Sequence, residues 1–352
     1  MNRGVVIVIP VLNPNKIFLE YVKELIENSF EKIIVVNDGS DAKYQIIFEE
    51  LAAYEEVDVL VHDVNKGKGR AIKTALQYYL NSNMKDTYNG IITVDADGQH
   101  IIKDVLQISN LMDKQETSLI LGERGFDKEV PFRSKLGNYC TKFLFNFMFG
   151  TKLHDTQTGL RGIPNKLLDD FKKLEGERYE YETNMLIACS RKNIPIKSVG
   201  ITTIYINNNE ESHFNPIIDS YKIYKLIFKN FGKYILSSLS ASIIDIGIFQ
   251  LVLIILQEKC KQYILLATVI ARMVSSLYNY FVNRKIVFKS QEKIGKTMIK
   301  YYGLCVIQMM FSAFFVTQIY LLFPLAEVGI KIVVDTVLFF VSYQIQRRWI
   351  FR

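Results

Sequence analysis

The chain has few cysteines and lacks the common phosphate-binding signatures of nucleotide enzymes. Its four cysteines are scattered without metal-ligand spacing, so we expect them to be reduced and mostly packed. No Gly-x-x-x-x-Gly-Lys-Ser/Thr loop is present, and no Gly-x-Gly-x-x-Gly follows the first predicted strand. These absences count against a cysteine-based metal site, a P-loop nucleotidase and a dinucleotide-dependent dehydrogenase.

Apolar residues are unevenly distributed along the chain. Of its 352 residues 49% are apolar, and the formal net charge is +7; this length allows about two domains. Residues 1 to about 230 have a soluble composition, whereas long apolar runs dominate from about 233 onward. The early run at residues 5–12 is too short to span a membrane and lacks a signal-peptide cleavage pattern. We therefore expect the first domain to stay in the cytoplasm.

Short apolar runs alternate with helical segments in the first half of the chain. This alternation predicts an α/β fold with a mostly parallel, doubly wound sheet. The predicted strands are residues 5–10, 33–36, 57–61, 90–94 and 118–122.

Two carboxylates follow the fourth predicted strand, where ligands of open α/β sheets bind. Asp95 and Asp97 point to the same side of an extended chain, because side chains alternate with period two. With the amide oxygen of Gln99 they form a hard oxygen set suited to Mg²⁺ or Mn²⁺ and a bound diphosphate. The alternative is a polar strand-to-helix turn, with Asp97 near a helix N-terminus.

Polar or glycine-rich residues also follow the other strands. Asp38, after the second strand, can accept hydrogen bonds from a base or ribose. Residues 66–69, Lys-Gly-Lys-Gly, form a basic turn before a predicted helix, and such a turn can approach phosphates closely. A solvated cluster of Lys66 and Lys68 is the alternative. The convergence of these strand ends predicts a nucleotide site.

Four ordered motifs resemble those of a known enzyme family. VVNDGS, NKGKGRA, DADGQH and HDTQTGLRG are similar to the motifs of family-two glycosyltransferases with the GT-A fold, most of all the dolichyl-phosphate mannose synthase type. The resemblance covers about residues 4–220 and implies a glycosyltransferase that uses a nucleotide-sugar and a polyprenyl phosphate. It implies that Asp38 contacts the nucleoside and that Lys68 lies near the nucleotide. The metal and the sugar-nucleotide diphosphate are implied to bind Asp95, Asp97 and Gln99.

The end of the first strand departs from the family pattern. Pro10 and Asn13 are expected in the donor nucleotide site by the resemblance. Pro14, however, stands where the family usually has an acidic residue. This difference puts in doubt the nucleotide contact normally made there.

The resemblance assigns two arginines to the acceptor. Arg124 and Arg133 are implied to bind the lipid phosphate, and guanidinium groups do bind phosphate bidentately; ordinary surface arginines are the alternative. The Phe-rich residues 139–149 suit either a core helix or a membrane-facing one. The predicted catalytic residues are Asp95, Asp97 and Arg133.

Three residues are expected to shape the sugar pocket. Asp155 and Arg161 belong to a stretch that matches the family's Asp-x-x-Ser/Thr-Gly-x-Arg turn, with a purely structural turn as the alternative. Glu182, at the start of a helix, is the preferred ligand of a sugar hydroxyl, with a helix-dipole role as the alternative. His213 is a candidate phosphate contact, or a capping or packing residue.

The second half is predicted to be embedded in a membrane. Residues 216–232 mix apolar residues with lysines and suit a helix on anionic headgroups, or a partner-binding helix. Basic residues concentrate between the second and third apolar runs and at the C-terminus, which predicts cytoplasmic N- and C-termini. The predicted domains are 1–215 (GT-A-type), 216–232 (interfacial) and 233–352 (transmembrane). The runs long enough to cross a core of about 30 Å are 235–256, 264–281, 302–322 and 328–345.

The membrane half contains an internal repeat. YFVNRKIVF at residues 280–288 parallels YQIQRRWIF at 343–351, an offset of 63 residues. The four helices therefore form two hairpin repeats of the same orientation. The Asn-Arg-x-x-Val-Phe ending resembles the GtrA-like membrane family, which implies a link to polyprenyl-phosphate sugars. The Gln-x-x-Arg-Trp motif of processive polysaccharide synthases is not matched, because Ile345 stands where its Gln would be.

One polar residue interrupts each apolar run. Asp245 and Gln308 are equivalent in the repeat, and so are Arg272 and Asp335. Because charges are costly within a membrane, we expect one buried cluster in which Asp245 or Asp335 neutralises Arg272. The alternatives are a structural contact between helices and a polar site for a lipid phosphate or its sugar.

These features predict an inverting, metal-dependent glycosyltransferase integral to the cell membrane. Its partners would be a GDP- or UDP-linked sugar and undecaprenyl or dolichyl phosphate, and no nucleic acid. One alternative is a lipid-linked sugar translocase or carrier with a regulatory soluble domain, against which the intact Asp95, Asp97, Gln99 and Arg133 argue. Another is a nucleotidyltransferase, which would release diphosphate and has no evident need for this membrane domain.

Overall fold

The computed structural model divides the chain into two compact units, Met1–Leu226 and Ile227–Arg352. It describes residues 4–124, 132–150, 153, 155–202, 218–256, 262–322 and 327–351.

The first unit is built on a mixed, mostly parallel sheet, which confirms the predicted α/β architecture. Its order is β3-β2-β1-β4-β6-β5-β7, and only β6 runs antiparallel to its two neighbours. The strands are β1 (Val6–Val11), β2 (Ile33–Asn37), β3 (Val57–Val61), β4 (Gly90–Thr93), β5 (Leu119–Arg124), β6 (Arg161–Pro164) and β7 (Ile196–Ile201).

Two of these strands were not predicted. β6 has only four residues, Arg-Gly-Ile-Pro, and β7 mixes lysine, serine and glycine among its apolar residues. Neither is a continuous apolar run, so hydrophobic periodicity gives little signal for them. Tertiary pairing forms them: β6 enters the sheet between β4 and β5, and β7 closes its edge beside β5.

Helices cover both faces of the sheet. In β1, Val6 and Ile7 point to opposite faces and both are fully buried, as expected for a parallel sheet at the centre of an α/β unit. Asn15 is the N-cap residue of the first helix, and its side-chain oxygen accepts the Phe18 N–H at 3.1 Å. The helices of this unit are α1 (Lys16–Glu27), α2 (Gln45–Ala52), α3 (Lys68–Asn81), α4 (Met84–Thr87), α5 (Ile102–Met112), α6 (Phe132–Phe149), α7 (Asn165–Lys172) and α8 (Glu180–Lys192).

Four long helices follow: α9 (Ile218–Leu256), α10 (Tyr263–Val282), α11 (Ile294–Leu322) and α12 (Glu327–Ile345). Each contains a segment long and apolar enough to cross a membrane, which confirms the four predicted spans. From Ile218 onward, the basic stretch predicted at residues 216–232 belongs to α9, which continues without a break into the first span. The candidate spans are Phe231–Leu256, Tyr263–Val287, Ile294–Leu322 and Gly329–Ile350.

The two repeat signatures adopt the same local structure. Each ends in a five-residue π-helical turn, Asn283–Val287 and Gln346–Ile350. Asn283 and Gln346 occupy equivalent repeat positions, and the Asn283 amide donates to Gln346 Oε1 at 3.1 Å in the interior of the bundle. The repeats therefore meet through a buried hydrogen bond between equivalent residues.

The four polar residues of the spans do not form the single buried cluster expected from the sequence. Asp245 accepts a hydrogen bond from Ser275 at 2.7 Å, and its ion pair with Arg272 is 3.9 Å long. Asp335 instead pairs with Lys331 at 2.9 Å, one helical turn away, and accepts from a serine of α11. The side chain of Arg272 is 75% exposed from the protein. Asp245 is thus the partner of Arg272, one of the two that were expected, whereas Asp335 pairs with the nearer Lys331.

Candidate active site

A cavity of about 450 Å³ opens at the carboxyl ends of β1, β2 and β4. It brings together six residues predicted for the donor and metal sites: Pro10, Asn13, Asp38, Lys68, Asp95 and Asp97. The predicted convergence of strand ends therefore occurs in the structure. Pro14 also lines this cavity.

Lys68 is the central cation of this cavity. Its Nζ lies 2.6 Å from Asp95 Oδ1 and 3.0 Å from Glu182 Oε1, and only 16% of its side chain is exposed. Burial would lower the pKa of Lys68, but the two carboxylates raise it above its ordinary value. Burial likewise favours the neutral form of Asp95, yet Lys68 and His100 hold the pKa of Asp95 well below its usual range. The site therefore holds a charged lysine and an ionised Asp95.

Asp97 has a different environment from Asp95. Its Oδ1 accepts the backbone N–H of Gln99 at 3.0 Å, which forms a tight turn after β4. Burial, and next the charge of Asp95, raise the pKa of Asp97. A divalent cation bound between the two carboxylates would stabilise the ionised form of both.

Asp95 and Asp97 could supply only some of the ligands of a bound Mg²⁺ or Mn²⁺ ion. Within the described ranges no group of three or more His, Cys, Asp or Glu side chains is arranged to hold a metal ion. Magnesium in nucleotide enzymes commonly takes one or two carboxylates and completes its shell with substrate phosphates and water. Asp95 and Asp97 match that arrangement.

Asp38 fixes the backbone of the turn that borders the cavity. Its Oδ1 accepts from His62 Nδ1 at 2.7 Å and from the Lys66 N–H at 2.9 Å, and its Oδ2 accepts from the Gly67 N–H at 2.7 Å. The carboxylate is buried, with 5% of its side chain exposed. Asp38 was predicted to bind the nucleoside, but most of its hydrogen-bonding capacity is used to shape the turn that precedes Lys68.

His62 was missed by the sequence reasoning. It follows β3 directly, and its Nε2 lies 2.9 Å from Thr74 Oγ1 in α3. With Nδ1 protonated, His62 donates to Asp38 and accepts from Thr74. A polar residue directly after a strand is the same signal that identified Asp38 and Asp95, and it could have identified His62.

A second segment completes the wall of the cavity. Gly67 has φ +100°, and a side chain there would collide with the backbone of Glu177. Arg70 forms a two-pronged ion pair with Glu177, through Nε at 2.5 Å and a second nitrogen at 2.7 Å. These contacts hold the chain that places Arg178 and Tyr179 in the cavity wall. No sequence signal pointed to these two residues.

The predicted sugar-pocket residues occupy different depths. Glu182 faces Lys68, as described above, whereas Arg161 is 1% exposed and donates to the Thr158 carbonyl at 2.9 Å and the Glu182 carbonyl at 2.7 Å. Arg161 therefore supports the backbone at Glu182. Asp155 is fully buried, and its Oδ1 accepts the Gln157 N–H at 2.9 Å. Their geometry corresponds to the structural-turn alternative.

Three predicted phosphate contacts lie outside what the structure describes. Arg124 ends β5 and Arg133 lies in the first turn of α6, but their side chains are not among the described ones, and neither is His213. In the Phe-rich α6, Phe145 is buried, as in a core helix, while Tyr139 and Phe143 are 64% and 59% exposed.

Comparison with known proteins matches both halves of the chain. Residues 6–171 match the model of glycosyl transferase family 2, and residues 233–351 match that of the GtrA/DPMS transmembrane domain. An uncharacterized protein of Methanocaldococcus jannaschii is 31% identical over 231 residues, covering 63% of this chain and 90% of that protein.

Two further relatives carry functional names. The UDP-N-acetylglucosamine–dolichyl-phosphate N-acetylglucosaminyltransferase of Methanococcus voltae is 27% identical over 252 residues, covering 66% of this chain and 98% of that protein. The dolichyl-phosphate beta-glucosyltransferase of Dictyostelium discoideum is 27% identical over 228 residues, covering 59% of this chain and 65% of that protein.

Replacing His62 tests whether it positions the donor site. We expect His62→Ala to weaken nucleoside diphosphate binding about tenfold, because a buried hydrogen bond to a carboxylate is worth about 1.5–3 kcal/mol. His62→Asn, whose amide can donate from a similar position, should retain more affinity. Calorimetric titration measures both, with exposed Gln77→Ala in α3 as the control. Unchanged affinity in a folded His62→Ala protein would contradict this role.

Gly159 provides a second test, because it packs directly beneath the Asp95 carboxylate. A Cβ at Gly159 would overlap that carboxylate, whereas one at Gly200 in β7 would meet nothing within 4 Å. We expect Gly159→Ala to lower kcat/KM by about tenfold to a hundredfold through displacement of Asp95. Gly200→Ala should leave it unchanged. Equal activities of the two variants would show that the position of Asp95 is not critical.

Proposed function

Because the chain belongs to glycosyl transferase family 2 and its second half is a GtrA/DPMS transmembrane domain, we propose that this membrane glycosyltransferase moves a sugar from a nucleotide-sugar to a polyprenyl phosphate. The observation that carries the proposal is the ion pair of Lys68 and Asp95 on the wall of the cavity at the strand ends, with the buried Glu182 as the second partner of Lys68. The names of the relatives from Methanococcus voltae and Dictyostelium discoideum support a polyprenyl-phosphate acceptor.

The donor diphosphate would bind at the cationic side of the cavity. Lys68 and Arg178 supply positive charge there, and Asp95 and Asp97 would hold Mg²⁺ or Mn²⁺ against the phosphates. When bound, the metal stabilises charge on the departing nucleoside diphosphate. Lys68 would exchange part of its contact with Asp95 for a phosphate oxygen, and Glu182 would then accept a hydrogen bond from a sugar hydroxyl.

The transfer itself would be a single displacement with inversion. A phosphate oxygen of the acceptor forms a bond to the anomeric carbon as the bond from that carbon to the nucleoside diphosphate breaks. The acceptor needs little help from a general base, because the second pKa of a phosphate monoester is about 6. Arg133, with Arg124, would hold the acceptor anion in line for attack. The residues therefore act by positioning and by electrostatic stabilisation.

The reaction would occur at the cytoplasmic face of the membrane. The segment between the apolar runs 264–281 and 302–322 carries six basic residues, Arg284, Lys285, Lys289, Lys293, Lys296 and Lys300. By the positive-inside rule this segment and both termini would be cytoplasmic, and the first unit would then lie on the side that holds nucleotide-sugars. The exposed rings of Tyr139 and Phe143 in α6 suit contact with a lipid acceptor.

A donor panel tests the activity directly. The full-length protein is incubated with undecaprenyl phosphate and each of several UDP- and GDP-sugars, and the lipid product is identified by mass spectrometry. We expect one nucleotide class to support transfer with release of a nucleoside diphosphate. Release of inorganic diphosphate would identify a nucleotidyltransferase instead.

Asp97→Asn tests the metal. The variant should lose at least a hundredfold in transfer, because it removes a ligand and the stabilisation of the leaving group that depends on it. Its Mn²⁺ affinity in the presence of nucleoside diphosphate should fall in parallel, while exposed Asp86→Asn serves as the control. Full activity of the wild-type protein in excess EDTA would refute metal dependence.

Arg133→Ala tests the acceptor site. The KM for the lipid phosphate should rise at least tenfold while the calorimetric affinity for the nucleotide stays within twofold, because the guanidinium is proposed to bind only the acceptor. Arg191→Ala, at the exposed end of α8, is the matched control. An equal loss of donor and acceptor binding, or no loss, would exclude this assignment.

A further inference from the structure

The membrane unit contains a polar cavity of about 830 Å³. It is bounded by α9, α10, α11 and α12, and it is larger than many small-molecule sites. Polar residues line it at Lys331, Asp335 and Ser342 of α12 and at Gln346 of the π-helical turn that follows, a spacing that places them on one helix face. From Lys331 to Gln346 this polar groove extends about 22 Å, most of a hydrocarbon core of about 30 Å.

The half of the groove near Gln346 is internally satisfied. Gln346 donates to Ser342 at 3.0 Å and to Tyr234 at 3.1 Å. Gln308 donates to the Leu338 carbonyl at 3.0 Å and accepts from Ser342 at 3.2 Å. This network corresponds to a structural contact between helices and does not call for a ligand.

Arg272 is different. Its ion pair with Asp245 is 3.9 Å long, beyond hydrogen-bond distance, and that carboxylate already accepts from Ser275. Among the described residues, its guanidinium makes no hydrogen bond within 3.5 Å, although it lines the groove. A guanidinium offers five donors, and a charged side chain in a membrane is costly unless it is paired or functional. Arg272 therefore has unused capacity for an anion.

The charges of the groove favour one kind of anion. Among the described residues that line it, the cations are Arg272 and Lys331, and the one carboxylate is Asp335, which Lys331 pairs at 2.9 Å. A phosphate matches the fork of Arg272 bidentately. The nearby amides and hydroxyls suit a hydroxyl-bearing group, and the surrounding lipid accommodates an apolar tail.

We propose that this groove binds the phosphate head group of a polyprenyl lipid, with or without its sugar, and that Arg272 makes the anion contact. The inference rests on the proposed function for the identity of the lipid. It adds a second lipid-phosphate site, within the membrane unit, to the acceptor site of the catalytic unit.

The test uses full-length protein in phosphatidylcholine nanodiscs and a polyprenyl phosphate with a photoreactive diazirine in its first isoprene unit. Labelled peptides are mapped by mass spectrometry. We expect labelling of α10–α12 peptides that unlabelled polyprenyl phosphate or its glycosylated product displaces and that uncharged polyprenol does not. Whichever displaces the probe at lower concentration identifies the acceptor or the product as the preferred occupant.

Matched variants assign the contact. The double substitution Arg272→Gln with Asp245→Asn removes both charges without stranding one, and we expect at least fivefold less labelling of α10–α12. Glu292→Gln with Lys296→Gln removes an exposed ion pair of the same unit and should leave the labelling unchanged. Melting temperature and nucleotide binding confirm that each variant is folded.

Three outcomes would overturn the inference. One is labelling confined to the first unit while transfer proceeds, which leaves the proposed function intact. Another is equal labelling of α10–α12 in the Arg272 variant. The third is equal displacement by phosphatidylglycerol, which would indicate a general anionic-lipid surface. Absence of transfer with every nucleotide-sugar, together with no labelling anywhere, would refute the proposed function as well.

Discussion

The ion pairs of Lys68 with Asp95 and Glu182 are the interaction on which the catalytic unit depends. Lys68 and Glu182 are largely buried and Asp95 is 28% exposed, and the two ion pairs are 2.6 and 3.0 Å long. Leaving either buried charge unpaired would cost several kcal/mol. The three residues come from α3, the end of β4 and α8. Their pairing connects these three elements at the point where a donor diphosphate would bind. A lysine held in this way is charged and already positioned before substrate arrives.

The surrounding structure supports that lysine through its backbone. The buried Asp38 carboxylate accepts two successive N–H groups and the His62 imidazole, and so sets the turn from which Lys68 begins α3. Gly67 allows the chain of Glu177 to pack against the same turn. A donor site of this kind is built from main-chain geometry first, and the side chains that would touch substrate are placed by it.

In the membrane unit, polar groups within the spans need partners inside the protein, because they cannot form hydrogen bonds with bulk water. Asn283 donates to Gln346 across the repeat, and each aspartate of the spans has a partner within its own hairpin. The two hairpins have equivalent positions that carry different residues. Arg272 in the first hairpin corresponds to Asp335 in the second, so the groove contains both a positive and a negative side chain. Only Arg272 combines full charge with a position on the groove wall and no hydrogen bond to the described residues.

The sequence by itself determined the α/β order, the four spans, the repeat and the family, because continuous apolar runs and ordered motifs are local signals. It also identified most residues of the donor cavity, since polar groups after parallel strands must meet at one edge of the sheet. Only the tertiary structure decided which of them touch: Asp38 faces the backbone, Arg161 is buried beneath Glu182, and Lys331 replaces Arg272 as the partner of Asp335. β6, His62, Arg178 and Tyr179 likewise depend on contacts between residues far apart in the chain. Hydrogen bonds and ion pairs are short-range in space and have no fixed separation in sequence, so no periodicity or motif specifies them.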